Sequence, residues 1–426
     1  MPQWNLLLVL FSTLSRAFSP AWLEDWPSTQ QPLSSEDDVH SCQISHVTRH
    51  DMARGPERVQ IVTSDTLGWD WEQPAIDPMN STAGEQWEFD GVSSDGTQAF
   101  IFGVYRDPNY SFLGTGNLRV HVEFVFGDGS RYAVVDYAEE ATVTTCQSRG
   151  TRGVWKGPGF VYTFEITEEM SRARWTMESA DVNATVEMKS LSRPRYPDNT
   201  MWSKERAQGP VAVVPHFFWA EPIPTADVKV EVAVKATRHS WTGVGGHERL
   251  WAAFNWRTCL RNLKIVRLQS GPFSLSLWEF GSSRVPDVTF SSVAMFENGE
   301  KIFGVAGTSY GNPAAEVEVV EEGGNRLELR RLYDGRGITT EHLRDKVTGL
   351  EVRLERPKEG LEWVFTVTFK KIGFEYVLTE GRGGTGYAGV VSGGRIGSQD
   401  EQGPAFVEIM RLPDGDWWLL PDNYVD

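Results

Sequence analysis

Asp227-Val228-Lys229-Val230-Glu231-Val232-Ala233-Val234-Lys235 alternates valine with charged or small residues over nine positions. A period of two belongs to a strand with one face buried and one in water; a helix would scatter these valines around its axis. The run leads into His239-Ser240-Trp241-Thr242-Gly243-Val244-Gly245-Gly246-His247-Glu248-Arg249-Leu250-Trp251. There, two indoles, a glutamate, an arginine and histidines gather around three glycines, so large polar and aromatic groups converge where the backbone turns or is closely approached. That composition has more the look of a site than of a plain core.

The same alternation recurs on both sides. Leu118 to Phe126 and Tyr132 to Tyr137 flank Gly127-Asp128-Gly129 as a hairpin, and Val161 to Ile166, Ala173 to Glu178 and Ala184 to Lys189 repeat the pattern, the last two joined at Asp181-Val182-Asn183. Downstream, Asn262 to Leu268, Phe273 to Trp278, Val293 to Phe296, Ile302 to Val305, Glu316 to Val320 and Leu327 to Arg330 continue at hairpin spacing, and Gly349 to Val377 holds two more strands. No segment of helical length shows a 3.6-residue period, so the chain is predicted to be all-β, an antiparallel barrel or sandwich in each half. Pro194, Pro197, Pro210, Pro215 and Pro222 punctuate Leu191 to Pro222 and exclude regular structure over most of it. The junction is placed there: an N-terminal β domain with an extended arm over 22–215, and a C-terminal β domain over 216–426. Gly381 to Gly389 superficially resembles a phosphate loop, but it lacks the following helix and the βαβ setting, and reads as a lid or barrel-closing loop.

Composition bounds the partners. The net charge of −17 over 426 residues, with 40% apolar and 23% charged residues, argues against nucleic acid or an anionic membrane surface and favours a small molecule. The 17 Trp, 11 Tyr and 22 Phe make 12% aromatic content, suited to a pocket for an extended apolar ligand and equally to aromatic-rich sheet cores. Cys42, Cys146 and Cys259 have no metal-ligand spacing, so no metal site is expected; one disulfide, guessed as Cys42 with Cys146, would leave Cys259 as a buried thiol, and the spacing leaves the pairing open. Leu6 to Phe11, followed by small residues, reads as a secretory signal over 1–21, too short to span a bilayer and weakly basic at its start. The protein is then expected in the secretory route if the signal acts and in the cytoplasm otherwise. Asn80, Asn109 and Asn183 begin glycosylation triplets. A monomer or weak dimer without a membrane anchor is expected.

Trp87-Glu88-Phe89-Asp90-Gly91-Val92-Ser93, then Trp219-Ala220-Glu221-Pro222-Ile223, then Thr242 to Trp251 occur in the order found in fungal Diels-Alderases of hybrid polyketide and amino-acid pathways, which the chain resembles from about residue 60 to its end. These are relatives of the carotenoid 1,2-hydratase superfamily. The resemblance implies two β domains, the second a lipocalin-like barrel, a substrate pocket between them and no cofactor. It also implies an intramolecular [4+2] cycloaddition of a linear polyene carried on a tetramic acid or pyrrolinone, downstream of a polyketide synthase-peptide synthetase. The hydratase branch tends to carry a second His where this chain has Arg249 after His247-Glu248, which disfavours water addition.

Such a reaction needs a shaped cavity and a hydrogen-bond donor at the carbonyl conjugated with the dienophile. Glu88 and Asp90, two apart on a strand, share one face and are candidates to hold the polar head group; their bland reading is a solvated face or a buried salt bridge with an Arg. Trp241 and Thr242 are candidate shaping and donor groups, and Arg249 is a candidate donor or the partner of Glu88 or Asp90. Tyr105, Trp219, His247, Trp251 and Trp363 are candidate substrate contacts, each tryptophan as readily a core residue. His247 and Glu248, being adjacent, point to opposite faces and are not expected to act on one atom. Two other readings stand beside the cyclase: a hydratase or lyase acting on an isoprenoid, and a lipocalin-like carrier of an apolar metabolite.

Overall fold

The valine alternation is realised inside Phe217–Val234, where Val228, Val230 and Val232 are buried while Asp227 and Glu231 face out. This strand hairpins with Thr237–Ala252, setting Val230 opposite Trp241, and the second strand pairs on its other edge with Gly84–Ser93. Glu248 therefore stands opposite Glu88, and Gly246 opposite Asp90. The computed structural model describes residues 42–413 apart from 52–59, 64–69, 80–81, 108–115, 148, 205–208, 312–315 and 379–380. The signal over 1–21 and the triplets at Asn80 and Asn109 lie outside these residues; Asn183 is exposed on Val182–Ser190.

Two antiparallel sheets carry the fold. The first has thirteen strands and curves into a half-barrel from Cys42–Thr48 at one edge to Arg131–Tyr137 at the other, with the Phe217–Val234, Thr237–Ala252 and Gly84–Ser93 trio between. The expected hairpins are present: Arg119–Val125 pairs with Arg131–Tyr137, and Arg172–Ser179 with Val182–Ser190. The second sheet is a nearly closed ten-stranded barrel made of two meanders, Leu260–Ser270 to Glu300–Tyr310 and Val317–Glu322 to Glu401–Arg411. Its first and last strands pair with each other, Val266 opposite Val407. The remaining seam, between Glu300–Tyr310 and Val317–Glu322, is bridged by side chains: Ala306 N–H donates to Glu322 at 2.7 Å and Asn325 Nδ2 to the Gly304 carbonyl at 3.1 Å. Among the described residues helix is limited to one turn, Trp256–Cys259, and the short 3-10 segment Pro357–Glu359.

Three differences from the sequence reading bear on the site. The change of sheet falls between Ala252 and Leu260, so the strands over 217–252, expected with the C-terminal half, pair in the first sheet. The prolines do not exclude strand: Pro222 and Pro224 sit inside Phe217–Val234 at two register shifts, between Ala220 and Ile223 and between Ile223 and Ala226, where a missing N–H costs no ladder bond. Gly381 to Gly389 is mostly strand, because Gly383–Arg395 pairs on both sides.

Tryptophans fill the concave face of the first sheet, where Trp87, Trp155, Trp175, Trp241 and Trp251 belong to one core; Phe102 stacks on Trp175 at 4.4 Å. Both sheets lie in one compact unit from Gln43 onward. They meet through two apolar clusters, one around Trp219, Leu250, Ile265, Trp278 and Met410, the other around Val92, Ile101, Phe374 and Phe406. Along Glu401–Arg411, Phe406 joins one and Met410 the other. Glu408, between them with the same orientation, is buried in the seam. Cys42 and Cys146 are disulfide-bonded and Cys259 is a buried free thiol.

Candidate functional site

The polar island in this seam is built from both sheets. Arg267, fully buried on Leu260–Ser270, donates Nη1 to Asp90 Oδ2, Nη2 to Glu248 Oε2 at 3.1 Å and to Glu221 Oε1 at 3.2 Å, and Nε to the Pro224 carbonyl at 2.6 Å. Of the two register shifts in Phe217–Val234, the first contains Glu221 and the second contains Pro224, whose carbonyl is left to accept this bond. Gly246 makes the approach feasible, since a Cβ there would lie 2.3 Å from Arg267 Nε. Glu221 also accepts from Arg195 Nε at 2.5 Å, from Trp278 Nε1 at 2.8 Å and from Ser276 Oγ. Arg195 in turn donates to Asn199 Oδ1 at 2.6 Å and Ser292 Oγ at 2.7 Å, with its guanidinium carbon 4.9 Å from the Trp219 ring centroid. Glu88, one turn of the pleat from Asp90, accepts from Gln86 Nε2 at 2.6 Å and from the Tyr105 hydroxyl at 3.4 Å.

Five buried carboxylates, Glu88, Asp90, Glu221, Glu248 and Glu408, thus share the seam with two buried guanidinium groups, Arg195 and Arg267. Burial disfavours the charged form, and like charges reinforce the effect. Burial pushes Glu88 upward against the pull of His121, Arg119 and Arg267. Burial and the charges of Glu88, Glu221 and Glu408 push Glu248 well up, and burial with Glu88 does the same to Glu408. Burial lowers Arg267 to about 9. Among the described residues Glu248 Oε1, Glu408 Oε2 and Asp90 Oδ1 have no hydrogen-bond partner. Glu88, Glu248 and Glu408 are therefore pushed toward the protonated form, in which a carboxyl group can donate a hydrogen bond.

The sequence-derived candidates divide between two faces. Glu88 and Asp90 share the seam face with Glu248, and Tyr105 touches Glu88. Arg249 is on the other face: it donates to Glu85 Oε2 at 2.9 Å and lies 3.7 Å from the Trp87 ring centroid, so the arginine paired with Asp90 is Arg267 instead. His247 stacks on Phe89 at 4.0 Å and sits 3.2 Å from the Glu72 carboxylate, away from Glu248 as the alternation requires. Trp241 and Trp251 lie in the first-sheet core, Trp251 donating to the Val62 carbonyl at 2.8 Å, and Trp363 in the barrel core. Trp219 packs in the seam against Trp278. Thr242 is exposed, its carbonyl capping Ser94. Potential metal-binding clusters of acidic, His or Cys residues are absent among the described residues.

Sequence reasoning passed over Arg267, Arg195, Glu221 and Glu408. Arg267 and Glu408 left a signal: each is a charge set among apolar neighbours, in Ile265-Val266-Arg267-Leu268 and Phe406-Val407-Glu408-Ile409. Such a charge is rarely tolerated without partners.

The chain has relatives among known proteins. A family model described as Diels-Alderase-like matches residues 39–413. The chain is 40% identical to Diels-Alderase ffsF of Aspergillus flavipes over 97% of each chain, and 38% identical to Diels-Alderase pyiF of Pyricularia grisea over the full length of both. Diels-Alderase phmD of Phaeosphaeria nodorum is 43% identical over 80% of this chain and 91% of its own. The crystal structure of CghA with Sch210972 superposes with a TM-score of 0.72 over 88% of this chain and 100% of that one, at 20% identity, which speaks to the fold alone.

Proposed function

The chain belongs to the Diels-Alderase-like family, whose members catalyse cycloaddition, and from that premise we propose that it closes a linear polyene on a tetramic acid or pyrrolinone by a stereoselective intramolecular [4+2] reaction without a cofactor. The observation that carries the reading is the excess of buried carboxylic acids in the seam between the sheets. The closure forms two carbon–carbon bonds from the π electrons of one molecule, so it consumes no electron, group or net proton.

The chain's levers are shape and electrostatics. Holding diene and dienophile in contact contributes up to roughly 7–11 kcal/mol when orientation is complete. A neutral acid at Glu88 or Glu408, or the Tyr105 hydroxyl beside Glu88, donates to the carbonyl conjugated with the dienophile; that bond strengthens as electron density moves toward the oxygen, and one such donor is worth about 2.7–4 kcal/mol. Arg267 is a positioning residue that fixes Asp90 and Glu248. The substrate implies an upstream synthase that joins a polyketide chain to an amino acid and releases it as the heterocycle.

The full-length protein, given a linear polyenoyl tetramic acid, is expected to yield one stereoisomer, and Glu88→Gln to slow the reaction tenfold or more with unchanged circular dichroism. An isomer mixture identical with and without protein, on both tetramic acid and pyrrolinone substrates, would end the reading. The same acids would also serve protonation of an alkene, so product oxygen is to be traced from labelled water; its incorporation would favour the hydratase.

A further inference from the structure

A second feature lies on the opposite face of the strand that carries Glu408. Adjacent residues on a strand point to opposite sides, and while Phe406 enters the seam, Val407 and Ile409 enter the barrel. At that end of the barrel is a cavity of about 210 Å³ bordered by the glycine-rich run at Gly381 and Gly383 and by the segment 340–347. Arg344, Arg382 and Arg411 line it with the apolar Leu343, Val347 and Ile409. Asp345, the one acid among the described residues of its wall, is held by Arg331 at 2.7 Å, and Arg331 continues into a paired chain of Glu318, Lys264 and Glu279 inside the barrel. Among the described lining residues three arginines stand against one aspartate, in a protein of net charge −17, and Arg382 Nη1 also donates to the Leu412 carbonyl at 3.2 Å.

The wall is built in advance. Glu375 accepts the backbone N–H groups of Glu341 at 3.1 Å, His342 at 2.9 Å and Leu343 at 3.2 Å, and Arg344 N–H donates to the Gly381 carbonyl at 3.1 Å. Lys346 Nζ ties back to the Thr340 carbonyl at 2.8 Å. Below, Tyr387 stacks on Phe369 at 4.0 Å and the packed barrel core closes the floor. A cavity of roughly 150 Å³ already admits a benzene ring, so this one has room for a ring with one oxyanion substituent. Planar guanidinium forks match the two oxygens of a carboxylate or the two of a β-dicarbonyl enolate.

We propose that this end of the barrel is a second small-molecule site, separated from the carboxylate island by the thickness of the sheet, that takes a small ring compound bearing a delocalised oxyanion. The oxyanion meets the arginines and the ring lies against Leu343, Val347 and Ile409. The site does not depend on the cycloaddition reading.

Isothermal titration of the full-length protein tests it with three probes: benzoate, a 3-acetyl tetramate, and the neutral benzamide. At least one anion is expected to bind in the micromolar to millimolar range, with benzamide about tenfold weaker or more. The stronger anion identifies carboxylate or enolate as the preferred source. Arg344→Met and Arg411→Met are each expected to weaken that anion about tenfold, while Glu408→Gln, on the other face, leaves its affinity unchanged. Arg344 is exposed, so its variant keeps the test valid should Arg411→Met fail to fold, which thermal unfolding reports. Absence of heat with both anions at millimolar concentration, equal affinity for benzamide, or unchanged affinity in the folded arginine variants overturns the proposal.

Discussion

The two faces of Gly84–Ser93 carry buried charge to opposite ends. On the concave face Glu85 is shared by Arg249 at 2.9 Å and Arg106 at 3.7 Å, and Glu72 meets His247 at 3.2 Å, so each of these two acids has a basic partner among the tryptophans. On the seam face five carboxylates meet two guanidinium groups, and three of them are pushed toward the protonated form. Burial is complete on both sides, so burial alone does not mark a site. Imbalance does: a matched ion set costs desolvation and returns it as attraction, whereas an acid excess is accommodated only by retaining protons. Retained protons are what a reaction can use.

The largest expected effect comes from removing the centre of each set. Arg267→Met strands Asp90 and Glu248, leaves Glu221 with Arg195 as its one cation, and is expected to cost about 3–5 kcal/mol in urea unfolding. Arg249→Met leaves Glu85 with Arg106 and should cost about 1–3 kcal/mol. Equal losses would break the contrast.

The second test is pH. Glu88, Glu248 and Glu408 bind protons more tightly folded than unfolded, where a glutamate titrates near 4.5. Between that value and their folded values the native state holds the extra protons, so stability is full below about pH 4.5 and falls as pH rises, at most about 1.4 kcal/mol per pH unit for each proton retained. The groups facing Glu88 include Gln86, Tyr105, Arg119, His121, Arg267, Glu248 and Glu408. Unfolding free energies measured from pH 5 to 9 for wild type and Glu408→Gln check this; the substitution should flatten the slope, and an unchanged slope would remove Glu408 from the acid set.

The smallest effect is expected at Thr242, a candidate donor by sequence. Its side chain is exposed, so Thr242→Ala should change stability by no more than about 0.5 kcal/mol and leave the stereoisomer ratio as in wild type. A shifted ratio would draw the reaction away from the seam and sharpen the boundary between the two regions.

Much of the fold was legible residue by residue. Alternation identified the strands and sorted Glu88 with Asp90 and His247 away from Glu248, because a pleat assigns faces locally. It did not show that Pro222 and Pro224 lie within a strand, since the register shifts that accommodate them depend on the neighbouring strand. Nor did it tell which arginine meets Asp90: Arg249 is close in motif, yet Arg267, 177 residues away, is close in space.

The sequence by itself determined that the chain is β and which side of each strand a residue occupies, because a two-residue period is a property of consecutive peptides. Only the tertiary structure decided which buried charges share a space. Glu408, Arg267, Glu221 and Glu88 come from four strands on two sheets, and no spacing along the chain encodes that meeting. The acids' affinity for protons follows first from their burial in a closed seam and then from the carboxylates around them, and both exist only once the sheets have packed.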